Sequence, residues 1–346
     1  MRNITLGSTG ITTPQNAFGA LPVQRRSMED AILLLRRAYE GGMTFFDTAR
    51  AYSDSEEKIG KAFGDMYPEI RSKIYIATKT MARTPEEFER QLQESLKLLK
   101  TDYIDIYQFH CVSTCYAPGD GSGMYECMLR AREQGLIRHI GVTAHKIEVA
   151  FDCVRSGLYE TIQYPFSYLA SPREIELVKA AKEAGMGFIA MKGLAGGLIN
   201  NSAAAMAYIS QYDNVLPIWG IQRSSELEEW LSYMDNTPVM DDKIRDFIAK
   251  EQTELMGEFC RGCGYCMPCP QQIMINQCAR MSLMLRRAPS AGWLSEPMQA
   301  EMMKIENCTG CGACMKKCPY ELNTPMLLKK NLEDYKRVLK GEVTVN

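Results

Sequence analysis

From Asn16 onward the chain alternates between short runs of apolar and β-branched residues and longer stretches with apolar residues three and four apart. The short runs predict strands over Asn16–Leu21, Thr44–Asp47, Ile74–Thr78, Ile104–His110, His139–Thr143, Thr161–Tyr164, Gly187–Met191 and Val215–Ile218. The longer stretches predict helices over Met28–Gly41, Ser55–Phe63, Thr84–Leu99, Met124–Glu133, Ile147–Arg155, Pro172–Ala184, Ser202–Tyr212 and Ser224–Tyr233. Two starts are strongly marked. Thr84-Pro85-Glu86-Glu87 gives a cap, a proline and two acids. Asp54 or Ser55 is a cap candidate before Glu56 and Glu57. Residues 3–13 predict a hairpin turning at Gly7-Ser8-Thr9-Gly10. Eight β–α units in about 235 residues fit an α/β fold of the (β/α)8 TIM-barrel type. A doubly wound sheet would need a Gly-rich phosphate turn after its first strand, and Phe18-Gly19-Ala20-Leu21-Pro22 is not one.

The alternation stops near Thr237-Pro238, so residues 1–240 read as the barrel domain and 241–346 as a linker helix with a small, mainly helical domain. In the second domain Ile273–Arg287, Pro297–Lys304 and Pro325–Leu339 read as helices. Nine of the chain's 13 cysteines lie in this last part. Residues 257–346 carry 12 Lys/Arg against 8 Asp/Glu, although the whole chain has a net charge of −2. That excess is too small for a nucleic-acid footprint. No apolar run is long enough for a membrane span, and the N-terminus lacks the apolar core of a signal peptide, so a cytoplasmic location is expected. In a reducing compartment the cysteines point to metal rather than to disulfides.

In a barrel, four chemically active residues fall at the ends of three successive strands. Asp47 and Tyr52 follow the second, Lys79 ends the third and His110 ends the fourth. Each alone is more often a structural residue. Together they can deliver a proton. The ammonium would favour phenolate and lower the phenol's pKa, the carboxylate would hold the ammonium, and the imidazole would orient a substrate oxygen. The loop from Cys111 to Gly123 is a substrate-pocket candidate; Cys111 and Cys115 there could be ligands or nucleophiles, but ordinary thiols are the commoner case, since neither sits in a known metal spacing.

Phe46-Asp47-Thr48-Ala49-x-x-Tyr52-x-x-Ser55-Glu56-x-x-Ile59-Gly60 strongly resembles the aldo-keto reductases. So do Ala77-Thr78-Lys79, the run Thr101 to His110, and Gly135-x-Ile137-Arg138-x-Ile140-Gly141-Val142. The resemblance covers about residues 4–235. It implies an oxidoreductase that exchanges hydride between NADPH or NADH and a small carbonyl or alcohol. Tyr52 would be the general acid, Lys79 and Asp47 would tune it, and His110 would orient the carbonyl. On the cofactor side it implies contacts at Thr143, Gln163, Met191, Gly193 and Arg223. The match is partial there. Thr143-Ala144 replaces the family's Ser-Asn, Met191 replaces an aromatic, and Arg223 is the one cation after the eighth strand, with Glu226 near it. These departures keep a second class open, a nicotinamide-binding sensor or electron-transfer subunit whose barrel does not turn over.

The cysteines form two runs, Cys260-x2-Cys263-x2-Cys266-x2-Cys269-Pro270 and Cys308-x2-Cys311-x2-Cys314-x3-Cys318-Pro319. The second has the bacterial ferredoxin spacing for a [4Fe–4S] cluster, and the first is one residue shorter before its last cysteine. Zinc, which favours separated pairs, is the alternative. The long helical connection resembles helical ferredoxin domains. By the ferredoxin pattern the fourth cysteine of each run serves the other cluster. Cys260, Cys263, Cys266 and Cys318 would then hold one cluster, and Cys308, Cys311, Cys314 and Cys269 the other. Cys278 lies outside both runs as a buried thiol, and the nearby methionines read as packing. Fusions of this kind occur in the aldo-keto reductase family, and Gly19-x-x-Pro22-Val23-Gln24-Arg25 resembles them. Clusters move single electrons while hydride carries two, so a ferredoxin or flavoprotein partner is a candidate.

Overall fold

The computed structural model describes residues 1–255, 259–287 and 290–345. Among the described residues, ten strands precede the two cysteine runs: β1 Asn3–Thr5, β2 Thr12–Pro14, β3 Ala17–Gly19, β4 Phe45–Asp47, β5 Tyr75–Thr80, β6 Ile104–Phe109, β7 Ile137–Thr143, β8 Thr161–Pro165, β9 Gly187–Met191 and β10 Val215–Gly220. The first two pair antiparallel as the expected hairpin. The other eight close a parallel barrel in chain order, with β10 returning to β3.

Period-two alternation divides the barrel interior into layers. Phe45, Ala77, Ile106, Ile189 and Leu216 form an apolar layer that also takes Ile4, Leu6 and Ile11 from the hairpin region. Two residues further along their strands stand Asp47, Lys79, Gln108, Met191 and Ile218. On β4, β5 and β6, moving up by one pleat therefore changes the lining from hydrocarbon to polar and charged groups, at the C-terminal ends where barrels carry their sites, while Met191 and Ile218 keep the β9–β10 side apolar.

Helix capping follows the sequence in part. Thr84 accepts a hydrogen bond from the Glu87 amide as its cap. Asp54 occupies the N-cap of Ser55–Phe63 without capping through its side chain. Its Oδ1 instead accepts from buried Lys58 Nζ at 3.0 Å, and Lys58 also reaches the carbonyls of Val23 and Arg26. The capping role yields to neutralising an ammonium that is 1% exposed.

Two compact units emerge. One comprises Met1–Gly193 with Ala203–Ile244; the other comprises Leu194–Ser202 with Arg245–Asn346. Nine residues that follow β9 thus belong with the cysteine-rich unit. The helix expected over Ile273–Arg287 is broken into Ile275–Cys278 and Met281–Arg287. Asn331, on the C-terminal helix Thr324–Leu339, stabilises the break. Its Nδ2 donates to Ala279 O at 3.1 Å and its Oδ1 accepts from the Ser282 amide at 2.8 Å. Those contacts satisfy backbone groups that a continuous helix would have paired internally.

Candidate functional site

Lys79 Nζ donates to Asp47 Oδ1 and to Thr48 O, each at 2.6 Å. Gln108 and Gln163 reach the same carboxylate at 3.4 Å and join each other at 3.1 Å. Tyr52 comes in from the turn before Ser55–Phe63, placing its ring centroid 5.0 Å from Lys79 Nζ. His110 meets that ring edge-on at 5.7 Å between centroids. A carboxylate, an ammonium, a phenol and an imidazole from three strand ends are therefore contiguous.

Their ionisation follows from burial. Burial pulls the Lys79 ammonium toward neutrality, but Asp47 and Tyr52 beside it outweigh that and hold its pKa above the ordinary value. For Tyr52, burial raises the pKa, with Lys79 opposing and Asp47 reinforcing. The expected lowering by the ammonium is thus reversed in the net, because desolvation of phenolate outweighs one favourable charge. The phenol is held in its protonated, donating form. His110 is pushed down to about 3, by burial first and by Lys79 second. It is a neutral imidazole, and its Nδ1 has no hydrogen-bond partner among the described residues.

The expected nicotinamide contacts stand at the ends of neighbouring strands, several already engaged. Thr143 Oγ1 accepts the Cys111 amide at 2.6 Å. The Gln163 amide is shared between Asp47 and Gln108. Met191 ends β9 half-buried. At buried Gly193 an added Cβ would lie 2.5 Å from Trp219 Cζ3. Arg223 is exposed and paired with Glu226 at 2.6 Å. A hydroxyl, an amide and a guanidinium remain a donor set suited to a nicotinamide amide and a phosphate.

The structure adds residues that the strand-end pattern did not single out. Gln108 points inward beside Asp47, and strict alternation from Ile106 would have found it. Glu56, fully buried, accepts from Thr78 Oγ1 at 2.6 Å and pairs with Arg50 at 2.8 Å. His145 is 4% exposed, and its Nδ1 lies 3.6 Å from Cys111 Sγ.

In the second unit the eight run cysteines line two cavities. One has Cys260, Cys263, Cys266 and Cys318 in its wall. The other has Cys269, Cys308, Cys311 and Cys314, with Cys266 between the two. The fourth cysteine of each run thus faces the cavity of the other run's first three. Among the described residues, no three His, Cys, Asp or Glu side chains close on a point that could hold a metal ion. The thiols border volumes, a donor set suited to a cluster with several irons. Cys278 is fully buried, with Sγ 3.9 Å from Glu301 O.

Comparison with known proteins agrees with both halves. The Aldo/keto reductase family pattern matches residues 3–207, and a 4Fe-4S dicluster domain matches residues 259–323. An L-galactose dehydrogenase of Arabidopsis thaliana is 28% identical over 211 residues, covering 56% of this chain and 66% of that protein. A methylglyoxal reductase of Salmonella typhi is 34% identical over 173 residues, covering 47% of this chain and 62% of that protein. The chain thus spans just under two thirds of the length of these relatives. The holo form of an aldo-keto reductase from Bacillus halodurans shares the fold, with a TM-score of 0.62 at 20% identity over 72% of this chain and 96% of that one. With more than half its length matched, the chain belongs to the aldo/keto reductase family and carries a 4Fe-4S dicluster domain C-terminal to its barrel.

Proposed function

We propose that the barrel catalyses reversible hydride exchange between NADPH or NADH and a small carbonyl or alcohol, with Tyr52 handling the proton. The observation that carries this is the 2.6 Å Lys79–Asp47 pair set beneath the Tyr52 phenol and beside neutral His110. A bound nicotinamide supplies the hydride. Thr143, Gln163, Met191, Gly193 and Arg223 are the residues that would hold it. The substrate oxygen accepts hydrogen bonds from the Tyr52 hydroxyl and the His110 imidazole. As negative charge grows on that oxygen, Tyr52 gives up its proton, and Lys79, fixed by Asp47, stabilises the phenolate left behind. Tyr52→Phe tests this. Turnover should fall about 10²–10⁴-fold with a carbonyl that the wild type reduces, and undiminished turnover sinks the reading.

We further infer that Cys260, Cys263, Cys266 and Cys318 hold one [4Fe–4S] cluster, and Cys269, Cys308, Cys311 and Cys314 the other. Each cluster carries single electrons when bound, so the natural partner is a one-electron carrier such as a ferredoxin or flavoprotein. Anaerobic addition of NADPH, followed by visible and EPR spectra, tests the link to the barrel. An absence of cluster reduction, with activity intact after cluster removal, assigns the clusters a structural role.

A second reading takes the barrel as a nicotinamide sensor or electron-transfer subunit. The engagement of Gln163 with Asp47 and Gln108, and of Arg223 with Glu226, favours it. Tight dinucleotide binding without turnover across a broad carbonyl panel would select it. We place the protein in the cytoplasm. Among the described residues, no helix is long and apolar enough to cross a membrane.

A further inference from the structure

The two cysteine-lined cavities differ in the charge around them. Among the described residues, the wall of the cavity with Cys269, Cys308, Cys311 and Cys314 carries no charged side chain. The wall of the cavity with Cys260, Cys263, Cys266 and Cys318 includes Arg261, whose guanidinium stacks 4.3 Å from the Tyr320 ring centroid. A second arginine, Arg280, packs against the same cysteine loop. A Cβ added at Gly262, between Cys260 and Cys263, would fall 2.7 Å from Arg280 Cζ. Gly262 also has φ +67, so the loop needs glycine both for its turn and for the guanidinium.

Arg280 is 8% exposed. It sits at the helix break after Cys278 that Asn331 stabilises. Its Nη1 donates to Gly196 O at 2.6 Å. Its Nε–H is buried and meets no acceptor among the described residues. A buried cation with an unused donor is costly unless an anion completes its surroundings. A [4Fe–4S] cluster with four thiolates carries a charge of about −2, and one more negative unit after reduction. Charge and hydrogen bonds to sulfur are the protein's main means of setting a cluster's potential.

We propose that Arg280 raises the reduction potential of the cluster held by Cys260, Cys263, Cys266 and Cys318 above that of its neighbour. It does so through its buried charge and an Nε–H bond to a cluster or cysteine sulfur. The first cluster then takes a single electron before the second, and no proton need accompany it. The inference rests on the ligand reading proposed above. Arg280 is a positioning residue, acting on the cluster and not on the substrate of the barrel.

The test is EPR-monitored potentiometric titration of the anaerobic full-length protein, with dithionite as electron donor and iron and sulfide measured on each sample. Wild type should give two midpoints. Arg280→Met should move one of them to more negative potential by about a tenfold change in the reduction equilibrium, about 59 mV for one electron, and leave the other in place. The midpoint that moves should be the one missing from Cys318→Ser. Arg280→Lys keeps the charge and loses the Nε donor, so it should move the same midpoint by less. Unchanged midpoints in Arg280→Met at wild-type iron content, or equal movement of both, overturn the proposal. Should Arg280→Met lose its clusters, Arg280→Lys decides, and midpoints identical to wild type overturn it. Wild-type protein without two clusters would refute the ligand reading itself, which is distinct from two clusters indifferent to Arg280.

Discussion

Lys79 Nζ lies 2.6 Å from Asp47 Oδ1 although the two side chains are only 1% and 3% exposed. A pair this buried gains little over a hydrophobic pair, but breaking it from one side strands a charge. Lys79→Met should therefore destabilise the protein by about 3–5 kcal/mol, and the double variant Lys79→Met/Asp47→Asn by clearly less. Both should have lost most carbonyl turnover, because the phenolate left by Tyr52 has no counter-charge. Chemical denaturation beside steady-state kinetics checks both statements. Additive stability losses in the double variant would show that the two residues are not an energetic pair.

His110 makes stability depend on pH in a defined direction. Its folded pKa is pushed down to about 3, while in an unfolded chain it titrates near its ordinary 6.5. Between those values the unfolded state binds the extra proton, so stability falls as pH is lowered through that window and the loss is complete below it. The slope attributable to this half-buried ring is at most about 1.4 kcal/mol per pH unit, the limit for one proton, and partial exposure narrows the window over which it applies. Urea denaturation at pH 7 and pH 5 should show a smaller loss in His110→Gln than in wild type. Equal losses would mean that His110 is solvated in the folded protein. The same shift means that reduction should show no titration near pH 6.5 attributable to this ring.

Asn331 occupies a position on a C-terminal helix whose buried neighbours are Leu327, Leu328, Leu332 and Tyr335. Replacing it with leucine would suit that face by polarity alone. It would also leave Ala279 O and the Ser282 amide unpaired at the break before Met281–Arg287. Each buried backbone group left open costs about 1–3 kcal/mol. Asn331→Leu should lower thermal stability and reduce iron and sulfide content after anaerobic purification. Wild-type melting and iron content would mean that the break is held by packing alone.

These cases indicate what sequence carries and what it does not. The barrel was readable because buried parallel strands and amphipathic helices leave opposite periodicities. Asp47, Lys79 and His110 were readable because ionisable groups at the ends of apolar strands conflict with the local pattern. Gln108 lay one pleat below His110 inside a fully buried strand, where only the register separates a lining residue from core. Arg280 could not be read at all. Its neighbourhood has helical periodicity, and the break is hydrogen-bonded by Asn331, 51 positions downstream of Arg280, a tertiary contact with no local trace. The net effect on the Tyr52 pKa was likewise hidden. Sequence shows which charges exist, but the size of the desolvation opposing them depends on how completely the ring is enclosed.

The arrangement of the cysteines makes a prediction that spacing within a run does not. If each run wrapped its own cluster, Cys318→Ser would damage the same cluster as Cys308→Ser. In the fold, however, Cys318 borders the cavity of Cys260, Cys263 and Cys266, while Cys269 borders that of Cys308, Cys311 and Cys314. A serine oxygen is a harder, poorer ligand for iron than thiolate, so each substitution should weaken one cluster selectively. Cys318→Ser should therefore match Cys263→Ser in its EPR signature and its remaining iron, and Cys269→Ser should match Cys311→Ser. Grouping by run instead of by cavity would refute the crossed ligation. The comparison requires only that the variants fold, and each leaves one complete four-cysteine cavity in place to support that.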